Sequence, residues 1–507
     1  MRPLIQEIQT AHTPESLVEN LRGLSRRSEA KADESGIILL RSNSFDSPQA
    51  RYSFVAANPF LTFRSLGSRC EITRHLSLAT HHFGNPWHLL EALMSRFELL
   101  DEIDLPFPLG GAFGCWGYDL KNFTEPKLPR RAVNDLELPD CHVGFYDSLV
   151  VFDHRLGKVC IVSTGLNADG SRSEARAKTQ LEFWKNQIQD LEFSRKAAKP
   201  QSESALCAFA PLREISANLS REEFISKVER AQKYIRAGDI YQVNLSQRLA
   251  AQSEFTGWEF FEKLNAVSPA PFSAFLDCGE FEIASSSPEQ FLRMSGSQIV
   301  TRPIKGTRPR DADATRDAQL AYELQTSAKE LSELVMITDL LRNDLGKVCE
   351  FGSVQVPELA TLEKFAQVQH LVSTIEGRLK KNVTHFAAFA SCFPGGSITG
   401  APKFRAMEII DELEPISRGP YCGAIGYLGF NRESQLSITI RTAICASGKI
   451  HFNVGAGIVA DSNPAAEYEE TLTKAQGFLA ALEVAERLGV RWQSGSGDTA
   501  FERTKSH

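Results

Sequence analysis

A chain of 507 residues with 42% hydrophobic and 23% charged side chains lies outside the composition of disordered proteins and is long enough for a large core. A net charge of −7 excludes a chain-wide basic footprint for nucleic acid, while leaving room for a local basic pocket that takes a small anion. No apolar run approaches bilayer-spanning length and Met1 to Glu15 has no signal-peptide core, so a cytoplasmic protein with neither membrane nor nucleic acid as partner is expected.

Gly36–Leu40 and Leu149–Val162 have strand character. Residues 194–218 are polar and small on average and are expected to link an N-terminal region, 1–193, to a second region, 219–490. The second region opens with a helix. Ser220 and Glu223 form a capping box, Phe224, Val228, Ala231 and Ile235 recur at helical spacing, and Gly238 stops it. Lys329–Asn343 is a further helix. Strands are expected at Ala424–Phe430, Leu436–Ile444 and Ile450–Val454. In the middle one, period two puts Leu436, Ile438 and Ile440 on one face and Ser437, Thr439 and Arg441 on the other. Asn463 caps a last helix, with Pro464 at its first position. Residues 491–507 are expected to be a flexible tail. Strands and helices mix without regular βαβ alternation, which predicts an α+β fold. The 10 cysteines are spread singly, with no CxxC pair, and are expected to be reduced thiols.

Five groups of residues can carry chemistry. Glu330 and Glu333 share one helix face, and Glu467 and Glu470 share another, with Lys474 a turn further on. Two such faces can hold a hard cation such as magnesium, or can simply be solvated surfaces. Arg441 on a polar strand face needs an anion, which a substrate carboxylate or a structural carboxylate can supply. Gly455-Ala456-Gly457 after a strand extends to GxGxxA at Ala460. Asp461 to Pro464 separate it from the helix, which defeats dinucleotide geometry but leaves a backbone cradle for an anion. Lys305 in PIKGTRPR is a candidate nucleophile or one charge of a basic surface loop. Glu289 in SSPE is a candidate general acid or a turn residue, and His370 alone suits a structural role.

Taken together, YQVNLS (Tyr241–Ser246), PAPFSAF (Pro269–Phe275), SSPE, PIKGTRPR, DLLRND and FPGGSITGAPKFRAMEIIDELE (Phe393–Glu414) resemble the chorismate-utilising enzyme family. GPYCGAIGY (Gly419–Tyr427), the Arg441 strand, GAGIVADS and EYEETLTKA follow in the family's order. LLRSNS, RYSF and GGAFGCWGYD (Gly110–Asp119) resemble its amino-transferring branch more faintly. The resemblance implies large antiparallel sheets packed together with surrounding helices. It implies that Glu333 and Glu470 bind magnesium directly, with Glu330 and Glu467 acting through waters. Chorismate would be held by Thr307, His370, Ser397, Tyr421, Arg441, the Gly455, Ala456 and Gly457 backbone, and Lys474. Isochorismate and salicylate synthases carry a lysine base where this chain has Gln242. Anthranilate synthases usually read PIAGT, whereas PIKGT, with Lys305, resembles the aminodeoxychorismate synthase branch. There Lys305 would attack the ring at carbon 2, Glu289 would serve as acid, and ammonia would displace the lysine at carbon 4. No GxCxGxQ-type glutaminase segment is present, so a separate glutamine amidotransferase subunit is the expected ammonia source. Ser42, Arg51, Phe54, Pro271 and Phe272 resemble the family's tryptophan pocket. Amination at carbon 2, as in anthranilate synthase component I, and an inactive tryptophan-binding regulatory partner are the rival readings.

Overall fold

The computed structural model describes residues 2–27, 36–42, 50–74, 79–99, 105–195, 215–365 and 368–483. The expected tail and most of the expected linker lie outside these residues.

Two antiparallel sheets, each of 12 strands among the described residues, dominate the fold. The first runs, in order of pairing, through Leu4–Ile8, Lys158–Ser163, Ser148–Asp153, Tyr52–Ala56, Ile38–Arg41, Phe272–Asp277, Glu282–Ser287, Thr442–Ala446, Lys449–Ile458, Gln242–Gln252 and Ile215–Ala217. The second runs through Ile304–Pro309, Val368–Arg378, Gln298–Arg302, Gln290–Ser295, Glu433–Ile438, Ala424–Gly429, Gly111–Trp116, Cys141–Tyr146, Leu61–Leu66, Arg69–Arg74 and Thr80–Phe83. Gly400–Ala401 joins the first sheet beside Gln242–Gln252, and Gln355–Lys364 joins the second beside Val368–Arg378. In each sheet the strands of 1–193 form one block and the later strands another, and the blocks meet at one seam: Ile38–Arg41 beside Phe272–Asp277 in the first sheet, and Gly111–Trp116 beside Ala424–Gly429 in the second. At the linker's end, Ile215–Ala217 pairs with Leu249–Ala251, so the chain is already in the sheet there.

Alternating side chains make three apolar layers. Phe54, Val151, Ala274, Ile283 and Ile444 of the first sheet meet Phe113, Ile425 and Tyr427 of the second in a core between them. Trp184, Phe261 and Phe478 bring helices Glu174–Arg195, Gly257–Val267 and Pro464–Ala481 onto the outer face of the first sheet. Helices Ala328–Val348 and His385–Cys392 cover the second, while Lys403–Leu413 packs against Gln242–Gln252 and Gly400–Ala401 of the first. Every described cysteine is a free thiol, and Cys207 lies outside the described residues. No helix among the described residues is long and apolar enough to cross a membrane.

Local signals put several elements where the sequence does. Helix Arg221–Arg236 carries the Ser220–Glu223 capping box, and helix Pro464–Ala481 starts on Asn463 with Pro464 at its first turn. Other expectations are corrected. Leu149–Val162 is a hairpin of two strands, Ser148–Asp153 and Lys158–Ser163. The expected Lys329–Asn343 helix runs over Ala328–Val348. The expected strand Leu436–Ile444 is two strands in different sheets, Glu433–Ile438 and Thr442–Ala446. The chain crosses between the sheets at Thr439–Arg441, where Arg441 takes a left-handed φ of 49°, so Arg441 is a corner residue and not mid-strand. Gly455, Ala456 and Gly457 lie inside strand Lys449–Ile458, not after it.

Candidate active site

A second crossing lies beside the first. Strand Glu282–Ser287 belongs to one sheet and Gln290–Ser295 to the other, with Pro288 and Glu289 between them. The two corners are stitched together. The Ser286 N–H donates to the Arg441 carbonyl at 3.0 Å, and the Ile438 N–H donates to the Glu289 carbonyl at 3.0 Å. The expected acid and the expected carboxylate ligand thus sit together where the chain changes sheet, a place where side chains escape the regular pleat.

Glu289 is 6% exposed. Burial pushes its carboxyl above the usual range, against the Ser397 hydroxyl, the Lys305 ammonium and the Ile304 backbone, which favour its charged form. A carboxyl whose burial favours its neutral form is suited to a general acid.

PIKGTRPR is a strand, Ile304–Pro309, and not a surface loop. Its register against Val368–Arg378 runs Lys305 opposite Leu371 and then Thr307 opposite His370, leaving Gly306 as an extra residue. A bulge of this kind turns a side chain out of the alternating pattern. Gly306 has φ 68° and an added Cβ would lie 2.6 Å from Leu324 Cδ1, so the position needs glycine. Lys305 Nζ donates to the Ser397 carbonyl at 3.4 Å, and its charge also reaches Glu333 and Glu470. Thr307 Oγ1 meets His370 Nδ1 at 2.9 Å. His370 is 2% exposed, and burial with the Arg441 charge holds its imidazole down to about 4, so it is neutral at physiological pH.

Helix Ala328–Val348 packs Leu334 against Leu324 and Leu371, which aims Glu330 and Glu333 at the bulged strand. Burial raises Glu333, and the neighbouring Glu330 and Glu470 add to the rise against Lys305 and Lys329. Burial also raises Glu467, again with Glu470 adding to it against the Ser462 hydroxyl. For Glu470 burial is overcome by the Lys474 ammonium at 2.7 Å together with the Lys329 and Lys305 charges, and the carboxyl sits below its usual value. Glu330 lies 3.6 Å from Arg308. All four expected ligands therefore face one region, yet no three acidic, histidine or cysteine groups among the described residues form a ready metal cage. The donor set is all oxygen and over-rich in negative charge, which suits a hard divalent cation once Lys474 and Arg308 release their partners.

Burial alone acts on the Arg441 charge, and its side chain has no ion pair or hydrogen bond among the described residues. A partly buried guanidinium without an anion is a ready site for a carboxylate. Tyr421 completes that wall. A Cβ at Gly455 would lie 2.9 Å from Tyr421 Oη and 2.7 Å from the Leu245 carbonyl. Lys474 Nζ donates to the Gly455 carbonyl at 2.8 Å. At Gly457 a Cβ would lie 2.5 Å from Gln242 Nε2, and both polar atoms of the buried Gln242 amide lack partners. The Ala456 methyl is fully buried in the core, so only its backbone is available to a ligand.

A separate cavity of about 40 Å³ is lined by Ser42, Phe54, Pro271 and Phe272 together with Tyr52, Tyr427 and others. That volume holds a few waters and must open to take an indole. Ser42 Oγ donates to the Ala50 carbonyl. Arg51 is corrected: its guanidinium bonds Asp153 at 2.9 Å and stacks on Tyr52, so it does not line the cavity.

Sequence reading missed the supports beneath this site: Asn244, Asp344, Lys403, Glu414 and Arg418. Charged residues set among apolar neighbours in Lys403–Leu413 were a signal, but only the tertiary fold gives them partners.

The two sheets, the crossing corners and the facing carboxylates fit an enzyme that acts on chorismate. The model of the chorismate binding enzyme family matches residues 44–480, and the chain belongs to that family. It is 41% identical over 448 residues to aminodeoxychorismate synthase component 1 of Escherichia coli strain K12, covering 88% of this chain and 93% of that one. It is 39% identical over 456 residues to anthranilate synthase component 1 of Acetivibrio thermocellus, covering 89% and 91%. The crystal structure of anthranilate synthase component I from Streptococcus pneumoniae superposes with a TM-score of 0.71 at 31% identity, covering 85% of this chain and 93% of that one.

Proposed function

We propose that this chain is the synthase component of an aminodeoxychorismate synthase, converting chorismate and ammonia to 4-amino-4-deoxychorismate. The observation that carries the reading is the Gly306 bulge, which places Lys305 Nζ 3.4 Å from the Ser397 carbonyl and within the field of Glu289, Glu333 and Glu470. The reaction is two allylic displacements. The Lys305 amine, uncharged at that moment, bonds to ring carbon 2 while the ring double bond shifts and the carbon 4 hydroxyl departs. Glu289 supplies the proton that makes that hydroxyl leave as water. Ammonia then bonds to carbon 4, the double bond shifts back, and the lysine amine is released. Glu289 takes up the proton that ammonia sheds, which restores the acid. Arg441, with Tyr421 and the Gly455–Gly457 backbone, holds one carboxylate of the substrate, and neutral His370 with Thr307 borders the ring.

Magnesium suits Glu333 and Glu470 as direct ligands, with Glu330 and Glu467 behind waters; when bound, it would neutralise and orient the second carboxylate. Ammonia is expected from a separate glutamine amidotransferase subunit, in keeping with the "component 1" in the relatives' names. Amination at carbon 2 is the competing outcome, since relatives named anthranilate synthase are equally similar. Incubation with chorismate, magnesium and ammonium, followed by mass spectrometry, decides between them. Aminodeoxychorismate as the main product, with a transient adduct on Lys305 that Lys305→Ala abolishes, supports the proposal; mainly anthranilate sinks it.

A further inference from the structure

Ser397 touches both reacting groups, and its turn, which Thr399 closes on the Gly395 and Gly396 carbonyls, is also held from outside its own segment. It lies in a short helical turn, Gly396–Ile398, between helices His385–Cys392 and Lys403–Leu413. Two cations, the half-buried Lys403 and the buried Arg418, grip the carbonyls on either side of it. On one side, Lys403 Nζ donates to the Pro394 carbonyl at 2.9 Å, the Cys392 carbonyl at 3.0 Å and Asp344 Oδ2 at 2.6 Å, which uses all three of its protons. Asp344 is 1% exposed and lies on helix Ala328–Val348, the helix that carries Glu330 and Glu333. On the other side, Arg418 donates to the Ile398 carbonyl at 3.2 Å and the Asn244 carbonyl at 2.8 Å, and pairs with Glu414 at 2.7 Å. Asn244 Nδ2 closes the circuit on the Ser397 carbonyl at 3.0 Å, the same oxygen that Lys305 reaches.

We propose that Lys403 and Arg418 are positioning residues that suspend the Ser397 turn between them and so set the spacing of Lys305 and Glu289. Each takes its anion from a different element: Asp344 from the carboxylate helix, and Glu414 from the residue that ends helix Lys403–Leu413. Glu414 also accepts from the Ser246 N–H at 2.8 Å, tying the second pin to strand Gln242–Gln252. Arg418 also lies 5.7 Å from the Tyr421 ring of the carboxylate wall, whereas the Lys403 bonds go only to Asp344, Cys392 and Pro394 and reach no residue of that wall. Loss of the Lys403 pin should therefore change the chemical step more than substrate binding. The inference rests on the reading that Lys305 and Glu289 carry the reaction.

The test uses the full chain with chorismate, magnesium and ammonium, and follows initial rates of chorismate loss whatever the product. Lys403→Met should lower kcat at least about tenfold while KM for chorismate stays within about twofold, because near-attack geometry is lost and binding is not. Lys403→Arg, which restores the charge, should recover part of the rate. If Lys403→Met does not fold, Asp344→Asn carries the test, since it keeps the side-chain volume and both carbonyl bonds of Lys403; it should lower kcat severalfold with KM unchanged. Folded variants with parental kcat overturn the proposal, as does a loss that Lys403→Arg does not relieve and that only tracks a lowered melting temperature. An unmodified chain that consumes no chorismate sinks the proposed function instead, so the two failures are separable.

Discussion

Gly306→Ala tests whether one extra residue in an edge strand aims the nucleophile. The native φ of 68° costs an alanine about 1–2 kcal/mol. Its Cβ would lie 2.6 Å from Leu324 Cδ1 and 3.1 Å from Glu330 Oε2. Leu324 is fully buried, so overpacking adds about 1–3 kcal/mol. Holding the native register would then cost about 2–5 kcal/mol. Ile304–Pro309 has a sheet partner on one side only, so the strand has a cheaper course: to slip by one residue and lose the bulge. A one-residue slip turns each side chain to the opposite face, and Lys305 with it. The competent register becomes the minor one, and turnover should fall about thirtyfold or more, since each 1.36 kcal/mol is a factor of ten. The assays are adduct formation on Lys305 by mass spectrometry of the intact chain, turnover with ammonium, and the melting temperature. Gly448→Ala is the control, because Gly448 has φ 71° with nothing within 4 Å of an added Cβ and isolates the backbone cost. Gly306→Ala with turnover within about threefold of the parent would refute the reasoning.

Arg441→Met should raise KM for chorismate about ten- to a hundredfold, the worth of a charge-assisted bond, without lowering the melting temperature, because its charge has no partner in the free protein. A clear loss of stability would mean that the guanidinium is structural. His370 resists protonation in the fold, so its contribution to stability is full above about pH 6.5 and is lost as pH falls toward about 4. His370→Gln should reduce acid lability across that window by up to about 3 kcal/mol, read from urea melts at several pH values. Glu467 has the opposite sign: its raised carboxyl favours the fold below the ordinary glutamate value and loses that contribution as pH rises. Glu467→Gln should thus raise the melting temperature of the magnesium-free chain near neutral pH, and weaken the further rise that added magnesium gives. A magnesium response equal to the parent's would remove Glu467 from the ligand set.

What the sequence made legible is what local physics decides. The Ser220–Glu223 box and the Asn463–Pro464 start need only neighbouring residues, and both helices begin where those signals stand. The candidate site residues were named from the family resemblance. Spacing alone left Lys305 a candidate for a surface loop, because the Gly306 bulge exists only in register with Val368–Arg378. The segment Leu436–Ile444 shows the limit from the other side. Its alternation continues unbroken through Ile440 while the chain leaves one sheet for the other, so no pattern marks the crossing at Arg441. The Lys403 and Arg418 pins were illegible for a related reason: although Glu414 is only four residues from Arg418, Asp344 and Asn244, which tie the pins to the helix and the strand, lie far away in sequence.

The seam that runs through each sheet has a consequence for anyone who would cut the gene in two. Removing 1–193 would strip Ile38–Arg41 from Phe272–Asp277 and Gly111–Trp116 from Ala424–Gly429, baring a largely buried strand in the middle of each sheet. Such raw edges recruit other chains. The fragment 219–490 expressed alone should go to inclusion bodies, and chimaeras of this enzyme should be spliced only where both halves of each sheet come from one parent.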